Sequence, residues 1–398
     1  MIKALGDIQV LEMGTFITGP AASMLLGDLG ADVIKIENPA GGDPFRAFKG
    51  GLYSPHFQTY NRNKRSITLN TKDADDLAIL DMLVADADVF IQNFRPGVAD
   101  RLSVGPERLC TANPRLIYCS ISGFGATGPG RDRPAFDTVA QAASGFLRLL
   151  LNPDHPRVVG PAIADAITGF YAAYGILAAL HERERTGKGR LVEVSMLEAM
   201  CHFNLDDFTH YFASGEIMNA YSRPHVSQSY VFECEDGRWL ALHMSSPTKF
   251  WENLATAIER PDMFEDSRFS DRSSRIANHE AVIAFLAPII RSHPLGYWCE
   301  RLSRLEVPHS PVYNSKEVLE TAEAKHLQLE ISSHPDQPGA FRTIRNPISF
   351  DGQRPLEVRA PPQLGEHNEN ITRRRPANRL LEPSPLNAKQ AKAGQGTD

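Results

Sequence analysis

The first 125 residues of the chain alternate between short apolar strand patterns and amphipathic helix patterns. Residues 8–13 (IQVLEM) and 32–37 (DVIKIE) have the composition of buried strands, and a helix with Pro20 in its first turn separates them. The same alternation continues with a helix at 72–87, a strand at 88–94, and a strand at 115–125 that runs into a glycine-containing loop. Strands that alternate with helices predict an α/β fold with a parallel sheet, whose functional residues lie at the carboxyl ends of the strands.

A length of 398 residues exceeds one typical domain, and the pattern changes in the second half of the chain. Near Ser229 the sequence YVFECEDGRWLALHM predicts a β-hairpin around Glu235-Asp236-Gly237, and helical patterns follow it. From Pro376 onward the tail is polar and lacks aromatic residues, which predicts a disordered or loosely attached segment. We therefore predict a large Rossmann-like domain and a small central α+β domain, with these bounds: the large domain at 1–205, completed by 335–398, the small domain at 226–325, and linkers at 206–225 and 326–334.

Composition excludes several classes of protein. The chain is 42% hydrophobic and 23% charged with a formal net charge of −6, which argues against nucleic-acid and acidic-membrane partners. Its five cysteines are scattered without a CxxC or CxxxC spacing, which predicts reduced thiols, no metal site and a cytoplasmic protein. Residues 1–13 lack the apolar core of a signal peptide, and no run approaches about 18 uninterrupted apolar residues.

The first strand–helix–strand unit invites comparison with dinucleotide-binding proteins. The turn after its first strand reads GTFITGP, from Gly14 to Pro20. Phe16 and Ile17 stand where a GxGxxG motif needs glycine for the close approach of a pyrophosphate. The sequence therefore predicts a Rossmann-like topology without a nicotinamide cofactor.

Two basic loops lie next to predicted strands. NRNKRSITLN (61–70) places Arg62, Lys64 and Arg65 ahead of a short strand, and NFRPGVADRL (93–102) carries Arg95 and Arg101 directly after one. Each cluster is either a solvated turn or a phosphate-binding patch, since Lys and Arg both bind phosphate oxygens. A third loop, SGFGATGPGRDRPAFD (122–137), contains four glycines and two prolines and is typical of a loop that covers a ligand.

Asp165 precedes a long helix pattern whose apolar residues recur at helical spacing from Ile167. The pattern ends in HERER and Gly187, and a strand at 191–194 follows. An aspartate at a helix start is either a cap or a nucleophile whose ionised form the helix N-terminus favours. No GxSxG, HExxH, P-loop or Cys/His metal spacing competes with it.

Taken in order, these segments resemble the class III CoA-transferases. The similarity runs over residues 8–200, and more weakly to the end, through LEMGTFITGPAASMLLGDLGADVIKIENPAGGDPFR, NRNKRSITLN, VFIQNFRPGVADRL, RLIYCSISGFGATGPGRDRPAFDTVAQAASG and IADAITGFYAAYGILAALHERERTGKGRLVEVSML. That family includes formyl-CoA and carnitine CoA-transferases and shares its fold with α-methylacyl-CoA racemases. The resemblance implies an interlocked homodimer with a large CoA-binding domain, an acyl-CoA and a carboxylic acid as substrates, and no tightly bound cofactor.

By position, the resemblance implies that Asp165 is the catalytic aspartate. The CoA-binding residues that it implies are Phe16, Ile17 and Thr18 at the pantetheine end, Asn63 and Lys64 near the phosphates, Asn93, Phe94 and Arg101 in a contacting loop, and Gly123, Gly125 and Asp137 in the glycine-rich loop. Three departures leave the acceptor acid open. Asn38 replaces an adenine-stacking Arg of some members, Ile17 replaces Gln of formyl-CoA transferase, and residues 243–251 replace a glycine-rich lid.

The implied reaction moves CoA from an acyl-CoA to a free acid through an anhydride and a thioester at Asp165. This chemistry needs a carboxylate that is ionised but poorly solvated. Three alternatives stay open: an acyl-CoA racemase or epimerase, an acyl-CoA thioesterase, and a CoA-binding protein without activity. In the racemases a His occupies the position of Phe136, and Phe cannot transfer a proton.

Overall fold

The computed structural model of the chain describes residues 3–245 and 248–372. By their contacts these residues form two compact units, each made of segments that are separated in sequence. Within the described residues, unit 1 comprises 3–121, 172–193 and 359–372, and unit 2 comprises 122–171, 194–245 and 248–358. The tail predicted from Pro376 onward lies outside the described residues.

Unit 1 is built on a parallel sheet with helices between its strands. The strands are β1 (Gln9–Glu12), β2 (Asp32–Glu37), β3 (Lys64–Thr68), β4 (Val89–Gln92), β5 (Ile117–Ser122) and β6 (Leu191–Ser195). The helices between the first five strands are α1 (Thr18–Asp28), α2 (Pro55–Tyr60), α3 (Ala74–Asp86), α4 (Val98–Arg101) and α5 (Pro106–Ala112), with a 3₁₀ turn at Pro44–Ala47. Each strand predicted from the alternation is confirmed to within a few residues, and so are the helix after β1 and the helix at 72–87.

The sheet order is β3-β2-β1-β4-β5-β6, and the first five strands pair in parallel. β1, β4 and β5 are buried and apolar on both faces, as Val10, Leu11 and Phe90 show with no exposed surface, whereas β6 at the sheet edge is largely exposed. The order reverses between β1 and β4. In open α/β sheets ligands bind in the crevice at the carboxyl ends of the two strands where the order reverses.

Unit 2 combines helices with two small antiparallel sheets, β7-β8-β9 and β10-β11. Its strands are β7 (Ser229–Glu233), β8 (Trp239–His243), β9 (His309–Pro311), β10 (Glu330–Ser332) and β11 (Arg342–Ile344). Its helices are α6 (Asp137–Ala143), α7 (Ile163–Thr186), α8 (Met196–Phe203), α9 (Leu205–Ser214), α10 (Ser222–Ser227), α11 (Thr248–Ala257), α12 (Arg272–Ala277), α13 (His279–Ile290), α14 (Leu295–Arg304), α15 (Ser315–Glu320) and α16 (Ala322–His326). The predicted hairpin is confirmed, with Ser229 opposite His243 and Glu233 opposite Trp239.

The core of unit 2 lies between the three-stranded sheet and the helices that follow it. Trp251, Leu254, Leu286 and Leu302 each have at most 1% of their surface exposed. At about 25 cal/mol per Å² of apolar area, side chains of this size each contribute roughly 1.5–3 kcal/mol to folding. The helices and the sheet therefore stabilise one another as a single core.

Helix α7 has 24 residues, and its first part belongs to unit 2 while Ala172 and later residues belong to unit 1. Among the described residues it is the helix that is long and apolar enough to cross a membrane, and 44% of its most apolar stretch is buried inside the protein. The long core helix of a globular protein has the same composition. Gly187, with φ of +69°, ends the helix in the left-handed conformation that favours glycine.

The chain returns to unit 1 near its end and runs beside β3, which is the outermost strand of the sheet. Arg359 N donates to Asn63 Oδ1 at 2.8 Å, His367 N donates to Ser66 O at 2.9 Å, and Thr68 N donates to the side chain of Asn368 at 2.9 Å. A short helix, α17 (Asn368–Thr372), follows, and Ile371 joins the apolar core of unit 1. These residues satisfy the outer edge of β3.

The contact-based units differ from the predicted domain bounds at several places. The prediction places residues 122–171 in the large domain, whereas their contacts group them with unit 2. The small domain was predicted at 226–325, and unit 2 continues to Val358. The predicted bounds and the interlocked dimer stay predictions.

Candidate active site

Asn93 connects the loop after β4 to the turn after β1, where the strand order reverses. Its Oδ1 accepts a hydrogen bond from Thr15 N at 2.9 Å, and its Nδ2 donates to Thr15 O and to Thr18 Oγ1, each at 2.8 Å. Ile17 and Thr18 begin α1, and Phe94 follows Asn93. The structure thus brings four of the predicted CoA-binding residues, Ile17, Thr18, Asn93 and Phe94, to the sheet edge where ligands bind in this class of fold.

The backbone of the turn before α1 is strained at Phe16, which has φ of +61°. Asp43 Oδ1 accepts a hydrogen bond from Phe16 N at 3.1 Å, and the Phe16 ring packs edge-on against Phe45. Gly14 lets the turn approach α1, since a Cβ there would lie 3.1 Å from Gly19 Cα. A non-glycine residue in the left-handed region costs about 1–3 kcal/mol and persists where the surroundings hold it, typically at ligand-binding sites.

A cluster of four buried charges lies beneath this turn and consists of Glu12, Lys35, Asp43 and Lys64. Lys35 Nζ and Lys64 Nζ each lie 3.0 Å from the carboxylate of Glu12, and Lys35 Nζ lies 3.1 Å from Asp43 Oδ2. All four side chains are fully buried. We call this group the Glu12 cluster. Two carboxylates and two ammonium groups balance each other, as a buried charge requires.

The electrostatics of the Glu12 cluster follow from burial and from the opposing charges. Burial alone would raise the pKa of Glu12, but the charges of Lys35 and Lys64 lower it. Burial alone would lower the pKa of Lys35, but the charges of Glu12 and Asp43 outweigh it and raise that pKa. For Lys64 burial dominates, and it lowers the pKa to about 8, with the positive charge of Lys35 adding to the effect.

Lys64 and Asn63, which the resemblance places near the CoA phosphates, are engaged within the protein. Lys64 Nζ donates to Glu12, to Pro20 O and to Asn61 Oδ1, which uses all three of its protons. Asn63 Nδ2 donates to Asp28, and its Oδ1 accepts from Arg359 N. Their role in phosphate binding stays a prediction that this conformation does not support.

A cavity of about 190 Å³ opens at the carboxyl ends of β1 to β4. Its lining includes Thr15, Asn38, Asn70, Lys72 and Phe94. Arg101 is exposed at the end of α4, in the loop region that follows β4. This cavity offers an aromatic ring, amide side chains and a cation, which are the groups that bind a nucleotide.

The glycine-rich loop follows β5 and belongs to unit 2. Gly123 O accepts a hydrogen bond from Leu197 N, and a Cβ at Gly123 would lie 2.3 Å from Ala135 Cβ, so the loop packs closely only with glycine there. Gly125 has φ of +96°, and its N–H donates to Ser122 Oγ at 3.0 Å. The loop is therefore folded on itself and on α8 rather than extended.

Asp165 lies in the first turn of α7, and Asp137, from the first turn of α6, caps that helix. Asp137 Oδ1 accepts hydrogen bonds from Ala164 N at 2.8 Å and from Asp165 N at 3.3 Å. Asp137 Oδ2 accepts from Gln141 Nε2 at 2.6 Å. Asp137 is therefore the cap of α7, and the carboxylate of Asp165 does not cap its own helix.

Burial raises the pKa of Asp165 to about 7, and the negative charge of Asp137 contributes to the shift. The expectation that the helix start favours the ionised form of Asp165 is not supported, because burial, and after it the charge of Asp137, raise the pKa instead. A half-buried carboxylate that titrates near neutral pH is a typical catalytic group. Near pH 7 such a group is divided between its acid and its anion.

Phe136 precedes Asp137 and has 60% of its surface exposed. Its ring carries no group that accepts or releases a proton. Residue 136, where the racemases carry a His, therefore supplies no proton carrier here.

The sequence prediction did not include the role of Asp43, Lys35 and Glu12. One signal was present, since Lys35 and Glu37 interrupt an otherwise apolar strand, DVIKIE. A charged residue inside a buried strand needs a partner from another strand. The charged residues within the apolar strand β2 could therefore have indicated a buried ion cluster. They could not have identified the residues from other strands that complete it.

Comparisons with known proteins agree over nearly the whole chain. The family model for CoA-transferase family III matches residues 5–368. The chain is 32% identical over 380 residues to a succinyl-CoA–D-citramalate CoA-transferase of Chloroflexus aurantiacus. This match covers 93% of each chain. It is 36% identical over 369 residues to an acetyl-CoA:oxalate CoA-transferase of Acetobacter aceti, which covers 90% of this chain and 92% of the relative.

The fold agrees as well. A crystal structure of a CAIB/BAIF family protein from Brucella suis matches with a TM-score of 0.81 and 31% sequence identity, over 92% of this chain and 97% of the other. The resemblance inferred from the sequence motifs is thereby confirmed, and so is its implication that the protein is a CoA-transferase. The chain belongs to CoA-transferase family III.

Proposed function

We propose that this enzyme transfers CoA from an acyl-CoA thioester to a free carboxylic acid by way of covalent intermediates on Asp165. The observation that carries the proposal is the half-buried carboxylate at the start of α7, whose pKa is raised to about 7 by burial and by Asp137. A poorly solvated carboxylate is a stronger nucleophile than one in water. The family membership of the chain supplies the acyl-CoA substrate.

The reaction consists of two exchanges that conserve the thioester. Asp165 attacks the acyl-CoA carbonyl carbon, and the CoA thiolate leaves to give a mixed anhydride. The thiolate then attacks the Asp165 carbonyl of the anhydride, which releases the donor acid and forms an aspartyl-CoA thioester. The acceptor carboxylate displaces the thiolate in the same way, and the thiolate finally attacks the acceptor's carbonyl, which frees Asp165 and gives the new acyl-CoA.

Asp137 supports this chemistry through its position and charge. It holds the backbone of Ala164 and Asp165, so the nucleophile stays on an ordered helical turn. Its negative charge disfavours a second anion nearby and so raises the reactivity of the Asp165 carboxylate once that group is ionised. Asp137 is therefore a positioning residue in this proposal.

We place the binding of CoA at the loops that Asn93 connects. The first amide groups of α1 have no partner within the helix, so they can stabilise an oxyanion or a phosphate. The cavity lined by Asn38, Lys72 and Phe94 suits the nucleotide end of CoA, and the exposed Arg101 suits a phosphate.

The names of the relatives support a dicarboxylic acid as one of the substrates. The two relatives compared above are named for D-citramalate and for oxalate, and both of these acceptors carry two carboxylates. We propose that this enzyme likewise uses a dicarboxylic acid, in the cytoplasm, as a homodimer without a nucleic-acid or membrane partner and without a tightly bound cofactor. Sedimentation of a folded 44.0 kDa monomer would contradict the dimer.

The test of the proposal uses Asp165→Asn and Asp165→Ala, with Asp154→Asn as a control at an exposed carboxylate of the same unit. We expect both Asp165 variants to bind acyl-CoA and to lose transfer between succinyl-CoA or acetyl-CoA and a panel of dicarboxylic and monocarboxylic acids. The control should keep its activity. Transfer by Asp165→Asn at a rate near that of the wild type would overturn the proposal.

Trapping gives an independent result. Hydroxylamine or borohydride added during turnover should modify one tryptic peptide, which spans residues 158–183 and contains Asp165. A label on another peptide would place the intermediate elsewhere. Release of CoA without an acceptor acid would indicate a thioesterase, and deuterium uptake at the α-carbon of a 2-methylacyl-CoA in heavy water would indicate a racemase.

A further inference from the structure

Unit 2 holds a group of two histidines and one glutamate that the CoA-transfer reaction does not use. His225 lies on α10, and His279 and Glu280 are the first two residues of α13. Glu280 Oε1 lies 3.7 Å from His225 Nε2 and 3.9 Å from His279 Nδ1. The two imidazole rings have centroids 4.2 Å apart and are tilted by 31°. One potential ligand atom from each of the three residues lies within 4.8 Å of the others.

Three of the four imidazole nitrogens of this group are buried without a hydrogen bond of normal geometry among the described residues. His279 has only 5% of its surface exposed, yet neither of its ring nitrogens nor the buried Nε2 of His225 makes a hydrogen bond of normal geometry. Besides His225, the polar groups that act on the His279 imidazole are the Ser229 backbone and the Glu280 carboxylate. Two neighbours, Gln228 Nε2 and Tyr230 Oη, are also buried without a partner. The Tyr230 ring stacks on His279 with centroids 4.7 Å apart.

This concentration of unpaired polar atoms requires an explanation, because a buried polar group without a partner costs about 1–3 kcal/mol. Five such atoms lie on His225, Gln228, Tyr230 and His279. A ligand that accepts lone pairs from imidazole would remove the cost at the two histidines. A metal ion is such a ligand, since neutral imidazole is the commonest metal ligand in proteins.

The donor set distinguishes among metals. Two imidazoles and one carboxylate suit zinc and neighbouring transition metals, whereas calcium and magnesium prefer oxygen ligands alone. Bonds of about 2.0–2.2 Å in tetrahedral geometry bring ligand atoms to roughly 3.3 Å from each other. The two distances from Glu280 would shorten by about half an ångström, and all three ligand atoms, now within 4.8 Å of one another, would move closer together on binding. Glu280 has 80% of its side chain exposed and is free to make that movement.

We propose that His225, His279 and Glu280 bind one divalent transition-metal ion of the zinc class. The ion links α10 to the start of α13, and Glu280 is the exposed member of the ligand set. His225 and His279 are far apart in the chain, so no short spacing in the sequence indicates them as a pair. The site is independent of Asp165 and of CoA transfer, and it acts on the stability of unit 2.

The experiment measures zinc on the full chain after treatment with EDTA and dialysis against Zn²⁺. We expect one equivalent of zinc per chain in the wild type and a higher melting temperature with zinc than without it. His225→Ala, His279→Ala and Glu280→Gln should each weaken zinc binding at least about tenfold. His334→Ala, at an exposed histidine of the same unit, should bind zinc like the wild type.

Cobalt distinguishes this site from the free cysteines. Co²⁺ bound by two histidines and a carboxylate gives ligand-field absorption without a thiolate charge-transfer band, and this absorption should disappear in His225→Ala. His279 is buried, so its variant could unfold, but His225 and Glu280 are partly exposed and keep the test valid. Zinc binding that is absent in the wild type, or equal in the wild type, His225→Ala and Glu280→Gln, would overturn the proposal.

Discussion

The carboxylate of Asp137 holds the backbone of Asp165, with Asp137 Oδ1 at 3.3 Å from Asp165 N and at 2.8 Å from Ala164 N. Asp137, which orders the start of α7, therefore also acts on the nucleophile by its charge, because that charge contributes to the raised pKa of Asp165. One side chain thus holds the nucleophile in position and adds to the effect of burial on the pH at which it ionises.

Asp137→Asn separates these two effects, because the amide keeps an acceptor oxygen and loses the charge. The pKa of Asp165, about 7 in the wild type, should fall, so the ascending limb of kcat/KM against pH should move to lower pH. Asp137→Ala removes the cap as well and should lower the free energy of unfolding by about 1 kcal/mol. Identical pH profiles for the wild type and Asp137→Asn would show that the charge has no influence.

Stability should depend on pH through Asp165. Between pH 3.8, the ordinary pKa, and about 7, the unfolded chain releases this proton while the folded protein keeps it. The free energy of unfolding therefore falls as pH rises through this window. Asp165→Asn should become more stable than the wild type above pH 7, by at most about 4 kcal/mol, and the difference should vanish near pH 3.8. Urea denaturation at fixed protein concentration measures this, with Asp154→Asn as the control.

Glu12→Gln should destabilise unit 1 severely. The substitution leaves Lys35 and Lys64 buried without their shared carboxylate, and breaking a buried ion pair costs about 3–5 kcal/mol. Glu107→Gln, at an exposed position of α5, should change the free energy of unfolding by less than about 0.5 kcal/mol. Adding Lys64→Met to Glu12→Gln removes one unpaired charge and should restore part of the loss; no restoration would contradict the ion-pair account.

Arg101→Ala should raise the KM for acyl-CoA roughly ten- to a hundredfold, because a charge-assisted contact with phosphate contributes about 1.5–3 kcal/mol. Arg108→Ala is the matched control, since Arg108 is exposed and pairs with Asp81 at 2.7 Å. Lys64→Met should instead lower the free energy of unfolding, because its donors are engaged inside the protein. A KM unchanged in Arg101→Ala would remove this residue from the CoA site.

The sequence predicted the parts of the fold that local patterns determine. The strand at Asp32–Glu37 follows from its apolar run, and the hairpin at Ser229–His243 from alternation around a glycine turn. The junction of Asn93 with Thr18 was reachable only through the resemblance, which placed both residues near CoA. The remaining parts of the fold and of the site depend on contacts between segments that are distant in sequence.

The start of α7 shows why the sequence did not predict the partners of the site residues. Helical spacing predicted Asp165 at the start of the helix, and the structure places it in the first turn, but the cap of that turn comes from Asp137 on another helix. Lys64 likewise stood in a basic loop that suited phosphate, and its actual partner is Glu12 on β1. Neither partner is adjacent in sequence, so only the folded chain identifies the charge that each residue meets.

The hydrogen bonds that residues 359–372 make along β3 have a consequence for biosynthesis. The strand that closes one side of the sheet obtains its outer partners from Arg359, His367 and Asn368, which the ribosome adds after all of unit 2. Throughout translation the edge of β3 is an open template for other nascent strands. Unit 1 therefore completes its sheet edge only when residue 372 has emerged, at the very end of synthesis of the described chain.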